Sequence, residues 1–337
     1  MSKKIVIVAG AGANRDFTIT NNPEKFFFPS GEELVNKIAN IPNPIHSTFS
    51  HYDNLGHLAK HYQPFSIDEL LDSVKKDKIL TAIDALGTVF HRGAIEQKLS
   101  EEQKEYIIQS GKEMIAYHLL RSEKIELFRN IDAKIWYRHI RNLIITAGKD
   151  DAEISENIAN LTIVSFNYDR SLDYYLRTRL AKDYSQIQKR IFYPYGKLAE
   201  DNWNFKDYGY YSNFNKISGS KDAQDFQVIK HLASGLKVIG ELGDEINRNI
   251  HNSLQEADKI YFLGFAFHKQ NCELLGLKNL DFRQKEKHIY YTNFEKSLAI
   301  DENVNNIFAK TPDSHRHKSV EKGVYDALRL DFSLSFD

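Results

Sequence analysis

The sequence predicts an α/β fold whose core is a doubly wound, Rossmann-like parallel sheet with a large all-helical insertion. Short apolar runs rich in β-branched residues recur at residues 4–9, 161–164 and 259–263. Each run has the length and composition of a strand that is buried on both faces. Segments with helical spacing separate the later runs, and strands alternating with helices are typical of a parallel sheet.

The composition is that of a globular protein with a sizeable core, because 42% of the 337 residues are hydrophobic and 27% are charged. A formal net charge of -1 gives no global basic field, so direct nucleic-acid binding is not indicated. The only cysteine, Cys272, excludes a disulfide framework and a zinc site built on several thiolates. The first apolar run is too short for a signal peptide or a membrane span, so we expect a cytoplasmic protein without membrane contact.

The helical insertion is predicted from residues 66–147, which have helical spacing almost throughout and no strand signal. We therefore expect a helical subdomain at 46–154 between the two parts of the Rossmann-like domain, 1–45 and 155–337.

The first strand runs directly into Gly10, Ala11, Gly12 and Ala13. Closely spaced glycines allow backbone N–H groups to approach an anion such as a pyrophosphate. The third glycine of the dinucleotide fingerprint is missing and no helix follows at once. A tight turn without a ligand is the competing interpretation.

The second apolar run, 161–164, ends in a polar hinge that contains Asn167 and Asp169, and a helix follows. In parallel sheets, ligands bind outside the carboxyl ends of the strands, so both side chains are candidates for chemistry. The alternative is structural, with Asp169 capping the helix and Asn167 satisfying the turn.

Four strand ends carry small or polar residues, and parallel topology would place all four along one edge of the sheet. They are 10–13, 165–169, 264–271 and 292–293. No metal site is predicted, because the alternating His315 and His317 have no further ligands near them in sequence.

These segments resemble a known family. The stretch Ser165-Phe-Asn-Tyr-Asp169 matches the Thr-Gln-Asn-Ile-Asp motif of sirtuins in spacing, and 261–271 and 291–293 are similar to later nucleotide-binding motifs. Together with Gly10–Ala13, they resemble the sirtuin-like NAD-binding proteins, in particular the bacterial branch found in anti-phage defence systems. The resemblance covers about 1–40 and 155–310, and does not cover the helical insertion.

The resemblance implies NAD binding, with the pyrophosphate at Gly10–Ala13 and the nicotinamide ribose and carboxamide at Asn167 and Asp169. It implies further dinucleotide contacts at Ser165, Phe166, Gly264, His268, Asn271, Thr292 and Asn293.

Deacetylases of this family carry a four-cysteine zinc module, which a chain with one cysteine cannot form. The defence branch instead cleaves NAD+ to nicotinamide and ADP-ribose. The resemblance therefore implies a metal-free NAD+ glycohydrolase, activated by homo-oligomer formation or by a partner protein of a defence system.

The chain departs from the family where a catalytic histidine is expected, because it has Tyr193-Pro194-Tyr195-Gly196 there. A phenol with a pKa of about 10 is a poor general base at neutral pH. Three alternatives remain open: Tyr195 positions the water, His231 or His268 replaces the histidine, or NAD is bound without efficient hydrolysis. The last alternative describes a sensor of NAD or ADP-ribose acting on a partner, and a different nucleotide-processing enzyme is a weaker option.

Overall fold

The computed structural model describes residues 2–19, 22–25, 28–40, 55, 58–60, 66–76, 100–120, 122–123, 125–146, 148, 150–199, 223–238, 244–280 and 286–337. The chain divides into two compact units. The first comprises Met1–Phe28, Ile125–Pro194 and Leu242–Asp337, and the second comprises Pro29–Lys124 and Tyr195–Glu241. Within these described ranges, no helix has the length and apolar character needed to cross a membrane.

All strands of the described residues belong to the first unit. In chain order they are β1 (Ile5–Ala9), β2 (Thr18–Ile19), β3 (Asn22–Lys25), β4 (Ala133–Lys134), β5 (Leu161–Ser165), β6 (Ile191–Phe192), β7 (Lys259–Leu263), β8 (His288–Asn293) and β9 (Arg316–Val320). The α-helices of this unit are Ile125–Arg129, Tyr137–Thr146, Asp151–Ala159, Ser171–Leu180, Tyr184–Gln188, Asp244–Glu256, Lys269–Leu274, Leu298–Ile307 and Val324–Leu330.

The main sheet has six strands in the order β6-β5-β1-β7-β8-β9, and every neighbouring pair is parallel. Strands β1, β5 and β7 are buried along their whole length. Their continuous apolar runs are what burial on both faces of a sheet requires. The predicted α/β fold with a parallel, Rossmann-like sheet is therefore confirmed.

The strand order creates a switch point beside β1. Numbered in chain order, the six strands lie as 3-2-1-4-5-6 across the sheet, which is the order of the Rossmann fold. The chain leaves β1 toward β5 and β6, and then returns to β7 on the other side of β1. In open parallel sheets, ligands bind where the order reverses in this way, outside the carboxyl ends of the strands.

The strand register places the carboxyl ends of β1, β5 and β7 at the same height in the sheet. Ala9, the last residue of β1, is opposite Ser165 of β5 and Leu263 of β7. The segments that follow these three strands consequently emerge side by side.

Two elements near the C-terminus were not predicted. Residues 316–320 form the edge strand β9, and Val324–Leu330 forms a helix. The strand contains Arg316, His317 and Lys318, so it lacks the apolar run by which the other strands are recognised.

A small antiparallel sheet, in the order β3-β2-β4, completes the strands of the first unit. Its strand β4 lies within the range predicted to be wholly helical, and it pairs with β2. The helix Tyr137–Thr146 packs on Ser171–Leu180 of the same unit. The unit boundaries therefore differ from the predicted ones, because the chain re-enters the first unit at Ile125, within the predicted insertion 46–154.

The second unit contains the α-helices Gly31–Ala39, Ile67–Lys75, Glu101–Leu120 and Ala223–Ala233 among its described residues. Ser30 and Glu33 form a capping box at the start of Gly31–Ala39, in which each side chain accepts from the other's backbone N–H. Glu101–Leu120 packs on both Ile67–Lys75 and Ala223–Ala233. The predicted range 46–154 falls partly on residues 46–54 and 77–99, which lie outside the described residues.

Candidate functional site

Backbone hydrogen bonds join the segments that follow β1, β5 and β7. Phe166 N–H donates to the carbonyl of Ala9 at 2.8 Å, and Gly10 N–H donates to the carbonyl of Leu263 at 2.9 Å. The rings of Phe166 and Phe265 lie 5.4 Å apart between centroids. The predicted convergence of these strand ends at one edge of the sheet is thus confirmed.

The two glycines after β1 pack directly against the loop after β7. Gly12 N–H donates to the carbonyl of Gly264 at 3.1 Å. A Cβ on Gly12 would lie 2.9 Å from that same oxygen, and a Cβ on Gly10 would overlap with it. Gly264 has a φ of +56°, and a Cβ there would overlap with the backbone nitrogen of Ala13. Loop-to-loop packing therefore explains these glycines without a ligand, and their contact with a pyrophosphate stays a prediction.

Asn14, at the end of the short 3-10 helix Ala11–Asn14, lies at the centre of a buried polar network. Its side-chain oxygen accepts from Trp136 Nε1 at 2.9 Å and from the Tyr137 hydroxyl at 3.0 Å. Its amide nitrogen donates to Asp169 Oδ2 at 3.0 Å. The sequence analysis did not single out Asn14, although its position directly after the glycine loop could have indicated it.

Asp169 serves as an anchor of the hinge that follows β5. While Oδ2 accepts from Asn14, Oδ1 accepts from the backbone N–H of Ser171 at 3.0 Å, at the start of the helix Ser171–Leu180. The carboxylate is 4% exposed. The N-cap position of this helix is Arg170, which has no side-chain cap hydrogen bond. Asp169 lies one residue before it, so the predicted capping by Asp169 is wrong in position, although its carboxylate binds the first N–H of the helix.

Asn167 has a different environment. Its side chain is only 7% exposed, and its backbone N–H donates to Ser165 Oγ at 3.3 Å. Across the described ranges, no residue forms a hydrogen bond with its side-chain amide. Neither polar atom of this amide is among the fully buried atoms that lack a partner. The amide therefore keeps contact with solvent and can be reached by a ligand.

A second buried carboxylate, that of Asp173, lies one helical turn beyond Asp169. It accepts from the Tyr184 hydroxyl at 2.7 Å and from the Tyr193 hydroxyl at 2.6 Å. Burial, together with the negative charge of Asp173, raises the pKa of Tyr193 well above its usual value of about 10. Tyr193 is therefore a neutral hydrogen-bond donor and cannot act as a general base near pH 7.

Tyr195, the predicted catalytic tyrosine, belongs to the second unit. Its side chain is 2% exposed, and its backbone carbonyl accepts from Lys237 N–H at 2.9 Å. The next residue, Gly196, has a φ of +66°, a conformation that favours glycine. Of the two histidines considered as substitutes, His231 lies in the second unit and His268 in the first.

The loop after β7 contains an aromatic residue in a costly backbone conformation. Phe267 has a φ of +54°, and such a conformation of a bulky residue costs about 1–3 kcal/mol. Its buried ring packs on Phe265 and Phe308. His268 follows and is exposed, while Asn271 lies half-buried on the helix Lys269–Leu274.

The two predicted contacts at the end of β8 are engaged within the protein. Thr292 Oγ1 accepts from Gly264 N–H at 2.8 Å. The Asn293 amide donates to the Ser297 carbonyl and to Asp301, each at 3.0 Å, and its oxygen accepts from Ser297 N–H at 2.9 Å. Both side chains thus organise the edge of the sheet, and their contact with a nucleotide stays a prediction.

A cleft of about 910 Å³ lies elsewhere in the first unit. It is lined by the helices Tyr137–Thr146 and Asp151–Ala159 and by the C-terminal residues 328–337. None of the predicted site residues lines it. The cleft is therefore separate from the predicted site residues.

Comparisons with known proteins give no relative: no family model, no curated protein and no solved structure matches the chain.

Proposed function

We propose that the chain binds NAD+ at the carboxyl edge of the main sheet, beside the switch point between β1 and β7, and hydrolyses it to nicotinamide and ADP-ribose. The observation that carries this proposal is the side-chain amide of Asn167, which is largely but not fully buried and forms no hydrogen bond with the described residues. It lies directly after β5, the neighbour of β1, in a sheet with the strand order of the Rossmann fold.

The reaction makes modest demands on the protein. The bond between C1′ of the ribose and the pyridinium nitrogen breaks, and its electron pair neutralises the nicotinamide, so no general acid is required. A water oxygen then bonds to C1′, and its proton is released. The protein must orient the ribose, stabilise the oxocarbenium-like centre and place the water.

Two residues of the hinge are assigned to these tasks. The Asn167 amide can donate to a ribose hydroxyl or hold the attacking water through its oxygen. The buried negative charge of Asp169, held by Asn14 and Ser171, favours positive charge developing nearby. Because these hydrogen bonds fix the carboxylate, Asp169 acts through electrostatics and positioning.

Binding without turnover is the second candidate function. Both oxygens of Asp169 already accept hydrogen bonds, and the hydroxyl of Tyr193 is a neutral donor. This arrangement favours a sensor that recognises NAD or ADP-ribose and acts on a partner protein. The resemblance to anti-phage proteins supports a homo-oligomer or a defence partner as the activator in either case.

The test is to incubate the purified full chain with NAD+ and to resolve nicotinamide and ADP-ribose by chromatography, alongside calorimetric measurement of NAD+ binding. Cleavage supports the enzyme. Binding without cleavage, with and without the products of neighbouring genes, supports the sensor. Absence of both binding and cleavage would overturn the proposal.

The substitution Tyr195→Phe addresses the missing histidine. Loss of turnover with unchanged NAD+ affinity would mean that the Tyr195 hydroxyl positions the attacking water. Unchanged turnover removes Tyr195 from the catalytic residues, and His231→Ala and His268→Ala become the next variants.

A further inference from the structure

A cluster of potential metal ligands lies at the opposite edge of the main sheet, where β8 and β9 begin. It comprises Glu286, His288 and His315, whose ligand atoms all lie within 4.8 Å of one another. His288 is the first residue of β8, and His315 immediately precedes β9. We propose that these three residues bind a divalent transition-metal ion of the zinc class.

The distances within the cluster fit such an ion. Glu286 Oε1 lies 3.1 Å from His315 Nε2 and 3.6 Å from His288 Nε2. Zinc binds imidazole nitrogen and carboxylate oxygen at about 2.0–2.2 Å in a tetrahedral arrangement, in which two ligand atoms are about 3.3 Å apart. The two distances lie on either side of this value. The ligand atoms of the two histidines lie within 4.8 Å of each other, and side-chain rotation would bring all three ligands to the ion.

A fourth residue occupies the position of an outer-shell partner. His288 directs Nε2 toward Glu286, and its other nitrogen, Nδ1, lies 3.3 Å from Nε2 of His317. The His317 ring in turn stacks on Tyr290, with the centroids 4.5 Å apart. Ligating histidines usually bond through their second nitrogen to a neighbour that fixes the ring, and His317 can take this role.

The ligand set also indicates which ion is preferred. Two imidazoles with one carboxylate suit Zn²⁺ and its transition-metal neighbours, whereas Mg²⁺ and Ca²⁺ require a shell of oxygen atoms. With three protein ligands and an exposed Glu286, the fourth position is open to water.

The metal would join two adjacent strands through residues that are far apart in sequence. It would tie the edge strand β9 to β8 and thereby raise the stability of the first unit, since an ion that binds only the folded chain shifts unfolding by mass action. The sequence analysis dismissed His315 and His317 because their partners, Glu286 and His288, come from an earlier segment.

The proposal is tested on the full chain after chelator treatment, by calorimetric titration with ZnCl₂ and with MgCl₂ and by thermal unfolding with and without ZnCl₂. The expected result is one Zn²⁺ per chain, a raised Tm and no binding of Mg²⁺. The variants His288→Ala and His315→Gln should each weaken Zn²⁺ binding by about 100-fold or more. The variant His317→Ala should weaken it by about 10–100-fold.

The matched control is His251→Ala, which removes an exposed histidine of the same unit whose Nε2 is 2.8 Å from the Leu274 carbonyl. Circular dichroism of each variant establishes that it is folded, and His315→Gln carries the test if His288→Ala does not fold. Two results would overturn the site: no binding to the wild type at about 100 μM Zn²⁺, or equal affinities of the cluster variants and the control.

Discussion

The side-chain amide of Asn14 donates a 3.0 Å hydrogen bond to the carboxylate of Asp169, although the two residues are 155 positions apart in the chain. Asn14 is 1% exposed and Asp169 is 4% exposed. Because the Asn14 oxygen also accepts from Trp136 and Tyr137, one side chain satisfies three buried groups. The hinge after β5 is thereby held in place by the loop after β1.

Replacement of Asn14 should therefore lower the stability of the folded protein. We expect Asn14→Ala to lower the free energy of unfolding by about 3 kcal/mol or more, since it removes one hydrogen bond each from a buried indole N–H, a buried phenol and a buried carboxylate. Urea denaturation followed by circular dichroism measures this change. As a control, Asn252→Ala on the exposed face of Asp244–Glu256 should change stability by less than about 0.5 kcal/mol. Equal effects of the two variants would contradict the network.

Because the loops after β1 and β7 pack closely together, we expect substitution of Gly264 to destabilise the protein strongly. Gly264→Ala adds a Cβ that overlaps with the Ala13 nitrogen, whereas Gly276→Ala places its Cβ 3.1 Å from the flexible His251 side chain. Both glycines have positive φ, so the left-handed conformation penalises both by about 1–2 kcal/mol. We expect Gly264→Ala to be the more destabilising by at least about 2 kcal/mol in chemical denaturation. Similar losses would mean that the Gly264 loop can move away.

Substitution of Asn167 distinguishes a ligand-binding role from a structural one. Asn167→Ala should reduce NAD+ turnover by about 10²-fold or more, the scale observed when one preorganised polar contact is lost. Its unfolding free energy should stay the same or rise, since no described residue bonds to the amide. Turnover and denaturation are measured on the same preparation, with Asn252→Ala as the control. A loss of stability with unchanged turnover would identify Asn167 as structural.

The pH dependence of stability should carry a contribution from Asp16. Burial raises the pKa of this carboxyl from 3.8 to about 6, against the opposing hydrogen bond from the Tyr325 backbone. The folded state therefore holds the proton more tightly than the unfolded state. The protonated carboxyl therefore adds up to about 3 kcal/mol to the free energy of unfolding. This contribution is complete below pH 4 and is lost as the pH rises through 6.

The variant Asp16→Asn isolates this contribution, because an amide oxygen can still accept the Tyr325 hydrogen bond. We expect the difference in unfolding free energy between Asp16→Asn and wild type to grow in favour of the variant between pH 4 and pH 7. Denaturant titrations at several pH values measure the difference. Parallel pH profiles would show that Asp16 titrates normally.

Local signals account for what could be predicted of the fold. The apolar runs of β1 and β7 are complete within a few residues, and both were placed correctly. Strand β9 was missed because an edge strand needs only partial burial, and Arg316 and Lys318 conceal it.

The site was harder to predict for a different reason. The parallel topology predicted that Ser165–Asp169 lies at the carboxyl edge of the sheet, and it does, but the Asn14 partner of Asp169 lies 155 residues away in the chain. The cluster of Glu286, His288 and His315 likewise combines two distant segments. Sequence spacing reports on neighbours along the chain, and these groups meet only through the tertiary structure.

The position of β1 at the centre of the sheet has a consequence for synthesis of the chain. Its neighbour β5 begins at Leu161 and its other neighbour β7 ends at Leu263. At a translation rate of about 5–20 residues per second, β1 waits on the order of 10–50 s on the ribosome before both of its pairing partners exist. Once β5 has been made, the five apolar residues Ile5–Ala9 can pair on one side, but the side that β7 will join stays open until Leu263 has been added. Strand β7 waits longer still for its second neighbour, because β8 ends at Asn293.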